Sequence, residues 1–363
     1  MGGFHVSNKV ITIQSHKGEY SASFMSGGMD QLNNAPVENA VYIIDQNIAQ
    51  LYKDRLGNIL SSQRVIKIEA TEENKSLDKI PGYVDELVAV NIRRDQTLIA
   101  IGGGIIQDIT CFLATTVMRG LPWIFYPTTL LAQSDSCIGS KSSINSGEVK
   151  NILGTFTPPE KVVIDVDFLQ TLEQREIFSG IGEMLKVHAI NSPESFDLIS
   201  AAYEDILKDP VIMEEFIHNS LSMKKKLIEI DEFDQGVRNV MNYGHSFGHA
   251  IESATNYGIP HGIAVTIGMD IANFVSAELR VSDVSHFERM HNVLEKNYRT
   301  YQHVNISVES LLNALSKDKK NSATQLRLIF PDKNGCIGIG LYDNNSKLKN
   351  SLDKYFKLYG GVN

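Results

Sequence analysis

The segment Asn242-Tyr243-Gly244-His245-Ser246-Phe247-Gly248-His249 sets two imidazoles four residues apart, on one face of a helix. A third histidine follows twelve residues later, in Pro260-His261-Gly262. Upstream, Glu183 and Lys186 share another stretch of helical spacing. Imidazole and carboxylate are ligands that a divalent first-row ion accepts, with a position left open for substrate oxygens. A lone histidine is commonly structural, but three clustered ones flanked by glycines fit a core less easily. Spacing makes His245 and His249 the first two candidate ligands. It leaves open whether His261 or a carboxylate completes the set.

Two further groups carry chemistry. Gly102-Gly103-Gly104 follows an apolar run and precedes a helical stretch containing Asp108. Without Cβ atoms, the backbone amides of such a turn can approach a pyrophosphate at a helix N-terminus. The triplet is not GxGxxG, so a plain tight turn is the competing reading. The third group runs from Pro127-Thr128-Thr129 through Asp135, Cys137 and Gly139 to Lys141, Asn145, Lys150 and Asn151. The part from 134 to 151 reads as a glycine- and serine-rich loop displaying cations. Arg119 precedes it; Lys224, Arg238 and the pair Lys319-Lys320 follow. With 43 acidic against 34 basic side chains and a net charge of −9, lysines gathered in one stretch fit a phosphorylated, carboxylated ligand.

The elements that must position these residues fall into two halves. Short apolar runs at 41–44, 65–68, 97–101, 123–126 and 162–164 predict buried parallel strands alternating with helices, an open Rossmann-like α/β domain over 1–172. Helical spacing over 173–190, 193–207, 210–230 and 237–254 predicts a mainly α-helical second domain over 173–363, with one late strand at 326–330. The acidic balance gives no reason to expect a nucleic-acid partner. No apolar run approaches the ~20 residues that span a bilayer. The N-terminus lacks a signal-peptide core, and the three cysteines form no CxxC pair. The expectation is a cytoplasmic protein with no membrane partner.

The stretches IGGGIIQDITCFLATTVMRG, PTTLLAQSDSCIGSKSSIN, KNILGTF, SGIGEMLK, MNYGHSFGHAIE and SKDKK, in this order and spacing, resemble the 3-dehydroquinate synthase family over nearly the whole chain. The resemblance implies an N-terminal NAD-binding α/β domain, a C-terminal helical metal-binding domain and a homodimer. It implies a metal, zinc or cobalt, held by Glu183, His245 and His261, with His249 facing a substrate phosphate instead. NAD would be contacted around Asp45, Glu72, Lys75, Gly104, Ile105, Ile106, Asp108, Thr128, Thr129, Lys141, Lys150, Phe168, Leu169 and Thr171. Substrate groups would meet Asp135, Lys141, Asn151, Lys186, Lys224, Arg238, Asn242 and one lysine of Lys319-Lys320, with Arg119 reaching the phosphate site of the neighbouring subunit.

The reaction so implied converts 3-deoxy-arabino-heptulosonate 7-phosphate to 3-dehydroquinate. It proceeds by transient oxidation with NAD, β-elimination of phosphate, re-reduction, ring opening and intramolecular aldol addition. Some positions depart from the usual family pattern: Gln107 and Cys111 for glycines, Ser140 for a second glycine, Val187-His188 for tyrosine-glycine and Glu173 for proline. The competing readings are a sugar-phosphate cyclase acting on sedoheptulose 7-phosphate or glucose 6-phosphate, an iron-dependent alcohol or glycerol dehydrogenase, and a non-catalytic copy. Retention of Lys224, Arg238 and Asn242 favours a carboxylate-bearing substrate, and no implied metal ligand is lost.

Overall fold

The computed structural model describes residues 9–147, 149–304, 306–316 and 324–360; Lys319 and Lys320 lie outside them. The chain divides into two compact units, Met1–Leu172 with Lys224–Phe233, and Glu173–Met223 with Asp234–Asn363. The segment Lys224–Phe233 joins the first unit for a polar reason. Glu229 accepts from the Gln14 amide (2.9 Å), Glu232 accepts from the Ser15 hydroxyl (2.6 Å), and Lys224 pairs with Asp135 (2.7 Å).

Among its described residues the first unit has the strands β1 (Val10–Ser15), β2 (Gly18–Phe24), β3 (Ala40–Asp45), β4 (Val65–Ile68), β5 (Thr97–Gly102), β6 (Trp123–Pro127), β7 (Lys141–Ser146), β8 (Val149–Phe156) and β9 (Lys161–Ile164). Seven form one sheet in the order β1-β2-β9-β6-β5-β3-β4. It is parallel except for the β1–β2 hairpin, which sequence periodicity does not predict. Both faces are covered: Ile44, Ile99 and Ile101 pack with Met29 and Phe168, and Val41, Ile43, Leu98 and Ala100 are equally buried. This is why the strands read as unbroken apolar runs rather than alternating ones. Because β3 leads outward to β4 and the chain then returns to β5 on the other side, the sheet reverses its winding between β3 and β5. In open α/β sheets a ligand crevice opens at such a point, outside the carboxyl ends of the strands. Here those ends are Asp45 and Gly102.

The stretch 134–151 departs from the predicted loop. It holds a π-helical turn, Ala132–Ser136, and then the antiparallel pair β7–β8. Its serines and asparagines hid the strands because their polar groups are used internally, as where Ser142 bonds Thr155 (2.8 Å) and the Ser143 amide donates to Asp108 (3.0 Å).

The second unit is built around His261–Glu278, a helix buried continuously from Gly262 to Ser276. The helices Gln174–Asn191, His245–Ala254, Val284–Tyr298 and Ser346–Leu358 pack on it. Two strands, β10 (Gln325–Pro331) and β11 (Ile337–Asp343), pair antiparallel. The predicted helix over 237–254 is interrupted. A 3₁₀ turn, Val237–Asn242, ends at Tyr243, and a new helix begins at His245. Gly244 makes the break with φ +76°, and a Cβ there would lie 2.6 Å from both Met269 and the Val265 carbonyl. Only glycine fits both the left-handed backbone and the contact.

His188, one of the departures from the family pattern, is buried in the Gln174–Asn191 helix with Nδ1 3.0 Å from the Ser195 hydroxyl and its ring against Phe216. Burial, partly offset by the Ser195 backbone, lowers its pKa from 6.5 to about 4. The unfolded chain therefore binds a proton between these values that the folded chain refuses. The neutral imidazole's contribution is whole above pH 6.5 and shrinks as pH falls toward 4, by about 3 kcal/mol in all. His188→Gln should flatten the acid side of a urea-stability profile relative to the parent; parallel profiles would contradict this.

Candidate functional site

In the first unit, Gly102 and Gly103 are required by packing. A Cβ on the first would lie 2.5 Å from Ile106, and on the second 2.9 Å from Thr129. The helix Gly104–Thr116 follows, and its N-cap, Gly103, provides no side-chain cap for the first-turn amides at Gly104, Ile105 and Ile106. Asp45 stands at the end of the adjacent β3, accepts from the Asn47 amide (2.9 Å), and has its pKa raised by burial. Uncapped helix amides beside a carboxylate at the winding reversal fit the pyrophosphate and a ribose hydroxyl of a dinucleotide. Thr128 is buried after β6, and Thr129 accepts from the Ala132 amide (3.2 Å). Phe168, Leu169 and Thr171 lie in the 3₁₀ turn Val166–Thr171, where the Thr171 hydroxyl meets that of Tyr52 at 2.8 Å.

Other residues of the expected cofactor set engage one another. Lys75, buried, donates to Asp108 (3.1 Å) and to Asn151 (3.0 Å) and lies 3.4 Å from Glu72. Asn145 ties the same group to Glu72 (2.7 Å). Burial raises the pKa of Asp108, against the opposing Lys75 charge. Lys141 and Lys150 are exposed on β7 and β8. Gln107 lies buried in the helix that follows the glycine turn. Its side chain exchanges two hydrogen bonds with Ser136, donating to the carbonyl (2.6 Å) and accepting from the hydroxyl (2.7 Å). It thereby pins the π-helical turn that carries Asp135, whose carboxylate holds Lys224 at 2.7 Å. Arg119 is exposed at φ +69°, directly after Met118 at φ +52°.

The second unit brings the metal-type residues together. A Cβ on Gly182 would lie 2.2 Å from the Gly262 carbonyl, and one on Gly262 would lie 1.8 Å from the Ser179 carbonyl. The two helices can therefore cross at backbone contact, and this sets Glu183 beside His261. Glu183 Oε1 is 3.5 Å from His261 Nε2 and 3.9 Å from His245 Nε2; its other oxygen takes the Lys186 ammonium. Both imidazoles are aimed from behind. His245 Nδ1 donates to the Tyr243 carbonyl (3.3 Å) and His261 Nδ1 to Glu252 (3.2 Å), so each Nε2 lone pair is left for a ligand bond.

Donors about 2.1 Å from a common ion lie about 3.0–3.4 Å apart. The Glu183–His261 pair, at 3.5 Å, is about 0.1 Å beyond that spacing, and the Glu183–His245 pair, at 3.9 Å, reaches it with a shift of about 0.5 Å. Burial, then the charge of Lys186, holds the pKa of His245 well below its ordinary value, and a neutral imidazole is what a metal requires. Burial opposes protonation of His261 too, but Glu252 and Glu183 outweigh it and raise its pKa.

His249 joins the two other imidazoles from the exposed side. The ligand nitrogens of His245, His249 and His261 lie within 4.8 Å of one another, but His249 is exposed whereas Glu183 is almost fully buried. His249 lines a polar cavity of about 430 Å³, including its open mouth, together with Asn239, Asn242, His245, Ser246, Arg327 and Ile329. Arg238 is buried beside it in sequence, on the 3₁₀ turn. Sequence reasoning missed Glu252, although its signal was present: Glu252 follows His245 and His249 at helical positions i+7 and i+3. Glu252→Ala should weaken Zn²⁺ binding about 10- to 100-fold, with Glu252→Gln between it and the parent. Unchanged zinc affinity in a competition with a chromophoric chelator would refute that role.

The chain combines a unit built on a mostly parallel sheet with a helical unit that holds a histidine–carboxylate cluster. The chain superposes with TM-score 0.82 on 2-epi-5-epi-valiolone synthase from Streptomyces hygroscopicus subsp. jinggangensis 5008, solved with NAD⁺ and Zn²⁺ bound (23% identity, 93% of this chain and 97% of that one). On 2-deoxy-scyllo-inosose synthase complexed with carbaglucose-6-phosphate, NAD⁺ and Co²⁺ the TM-score is 0.81 (21% identity, 95% and 100%). These likenesses define the fold. Residues 65–179 match the 3-dehydroquinate synthase N-terminal family and residues 180–321 the 3-dehydroquinate synthase C-terminal family. A 3-dehydroquinate synthase of Streptococcus pyogenes serotype M18 (strain MGAS8232) is 32% identical over 329 residues, 89% of this chain and 92% of that protein. The chain belongs to the 3-dehydroquinate synthase family. No described helix is long and apolar enough to cross a membrane.

Proposed function

We propose that the protein cyclises 3-deoxy-arabino-heptulosonate 7-phosphate to 3-dehydroquinate with release of phosphate, as a phosphate-eliminating lyase that uses NAD and a divalent ion, Zn²⁺ or Co²⁺. The observation that carries this reading is the meeting of Glu183, His245 and His261 around one carboxylate oxygen, inside a chain of this family. When bound, the two groups supply a hydride acceptor that returns its hydride, and a Lewis acid for adjacent substrate oxygens.

The chain's own residues bind and orient. Residues 1–172 form the NAD-binding domain, where Asp45 and the amides from Gly104 to Ile106 hold the dinucleotide. Residues from 173 onward form the metal-binding domain, where Glu252 and the Tyr243 carbonyl fix the ligand imidazoles. Lys186, anchored on Glu183, keeps a buried cation where substrate oxygens gain charge. Lys224, held by Asp135, and Arg238 pair with the substrate carboxylate, bidentately in the arginine case.

Asn242 lies with Lys224 and Arg238 at the carboxylate, while His249, Lys141, Asn151 and one lysine of Lys319-Lys320 receive the phosphate. Arg119 joins them from a second copy, so the working form is a homodimer. In the elimination the C–H bond next to the ketone yields its proton to the phosphate oxygens as the C–O bond breaks, leaving the protein to position and solvate charge. The compartment is the cytoplasm, in keeping with three free cysteines.

The test follows phosphate release from 3-deoxy-arabino-heptulosonate 7-phosphate and from sedoheptulose 7-phosphate, in parallel, with NAD and Zn²⁺ or Co²⁺. The first should turn over and the second should not. Turnover of only the second, or accumulation of NADH without phosphate, would overturn the proposal.

A further inference from the structure

One cation on the wall of the cavity has no part in the reading above. Arg327 is the third residue of β10, between the fully buried Leu326 and Leu328. Strand alternation turns it to the opposite face, the one from which Ile329 also lines the cavity. Its guanidinium is held in place there. Nη1 donates to Asn239 Oδ1 at 3.1 Å, and the Asn239 amide in turn donates to the Asp234 carbonyl at 3.0 Å.

The remaining polar lining is the imidazole of His249, the Asn242 carboxamide and the Ser246 hydroxyl, beside the ligand imidazole of His245, and among the described residues none that lines the cavity is acidic. An arginine stays protonated at any physiological pH and presents a rigid fork of donors. A concave wall whose described residues offer one permanent cation, neutral donors and no carboxylate suits an oxyanion. Donors that come from β10, from the 3₁₀ turn and from the helix His245–Ala254 approach from three directions. That arrangement fits a tetrahedral phosphoryl group better than a planar carboxylate.

We infer that Arg327 is a substrate-binding residue that completes the phosphoryl subsite with His249. Asn239 acts as its positioning residue. The identity of the ester rests on the cyclisation reading, whereas anion binding at Arg327 does not.

The test uses the Zn²⁺- and NAD-loaded protein and inorganic phosphate as the probe, titrated calorimetrically against the parent, R327M and R327K. The KM for 3-deoxy-arabino-heptulosonate 7-phosphate is measured beside it. R327M should bind phosphate about 10- to 100-fold more weakly and raise KM in proportion. R327K should recover part of both, since it keeps the charge and loses the fork. Lactate, a carboxylate without phosphate, should bind all three proteins with the same affinity.

Phosphate affinity unchanged in R327M, or a loss confined to lactate, overturns the inference. If R327M fails to fold in a thermal melt, R327K and R327Q decide by the same measurements. A parent that binds phosphate through Arg327 yet never turns over the heptulosonate would sink the cyclisation and leave this inference standing.

Discussion

Glu183→Gln is expected to lose bound metal and turnover together. Glu183 is 1% exposed, and one of its oxygens is shared between two imidazole nitrogens at 3.5 and 3.9 Å. A carboxamide keeps the shape but removes the negative charge that holds a divalent ion. A Lewis acid supplies several kcal/mol to the transition state, so kcat/KM should fall by about 10³-fold or more. Glutamine is the informative change because its carbonyl still accepts from Lys186. Alanine would in addition strand a buried ammonium, at a cost of about 3–5 kcal/mol in stability. Elemental analysis after dialysis, beside a phosphate-release assay, reads both losses. A variant with full metal content, or one without metal at full rate, contradicts the role given to Glu183.

The second large effect belongs to Arg238. It is 6% exposed, on the 3₁₀ turn that ends just before the left-handed Gly244, so its position is set by the same backbone break that starts the His245 helix. Truncating one partner of a buried, hydrogen-bonded charge pair costs about 2–5 kcal/mol. Arg238→Met should therefore cut kcat/KM for the heptulosonate by about 10²-fold or more, chiefly through KM. The metal content should not change. Kinetics left intact would mean that the substrate carboxylate is bound elsewhere, or that the substrate carries none.

Much of this arrangement was legible in one dimension because single-residue chemistry enforces it. Strands buried on both faces must read as apolar runs, and β3, β5 and β6 do. The glycine triplet announced itself because both Gly102 and Gly103 touch neighbouring side chains where no Cβ fits. Other features depend on contacts between distant segments. Helical spacing ranked His245 and His249 together, as they stand; what it could not show is that His261 joins them and meets Glu183, because Gly182 lets one helix rest on the Gly262 backbone. Strands β7 and β8 looked like a loop because their polar side chains are satisfied by one another and by Asp108. Arg327 had no signal beyond an arginine in an apolar strand; only the fold sets it across from His249 and Asn242.

The most direct measurement is an anomalous difference map from crystals of the Co²⁺-loaded protein. One peak within about 2.3 Å of Glu183 Oε1, His245 Nε2 and His261 Nε2 is the predicted result. An ion bound by His245, His249 and His261 with Glu183 left out, or no ordered ion in the helical unit, would contradict it.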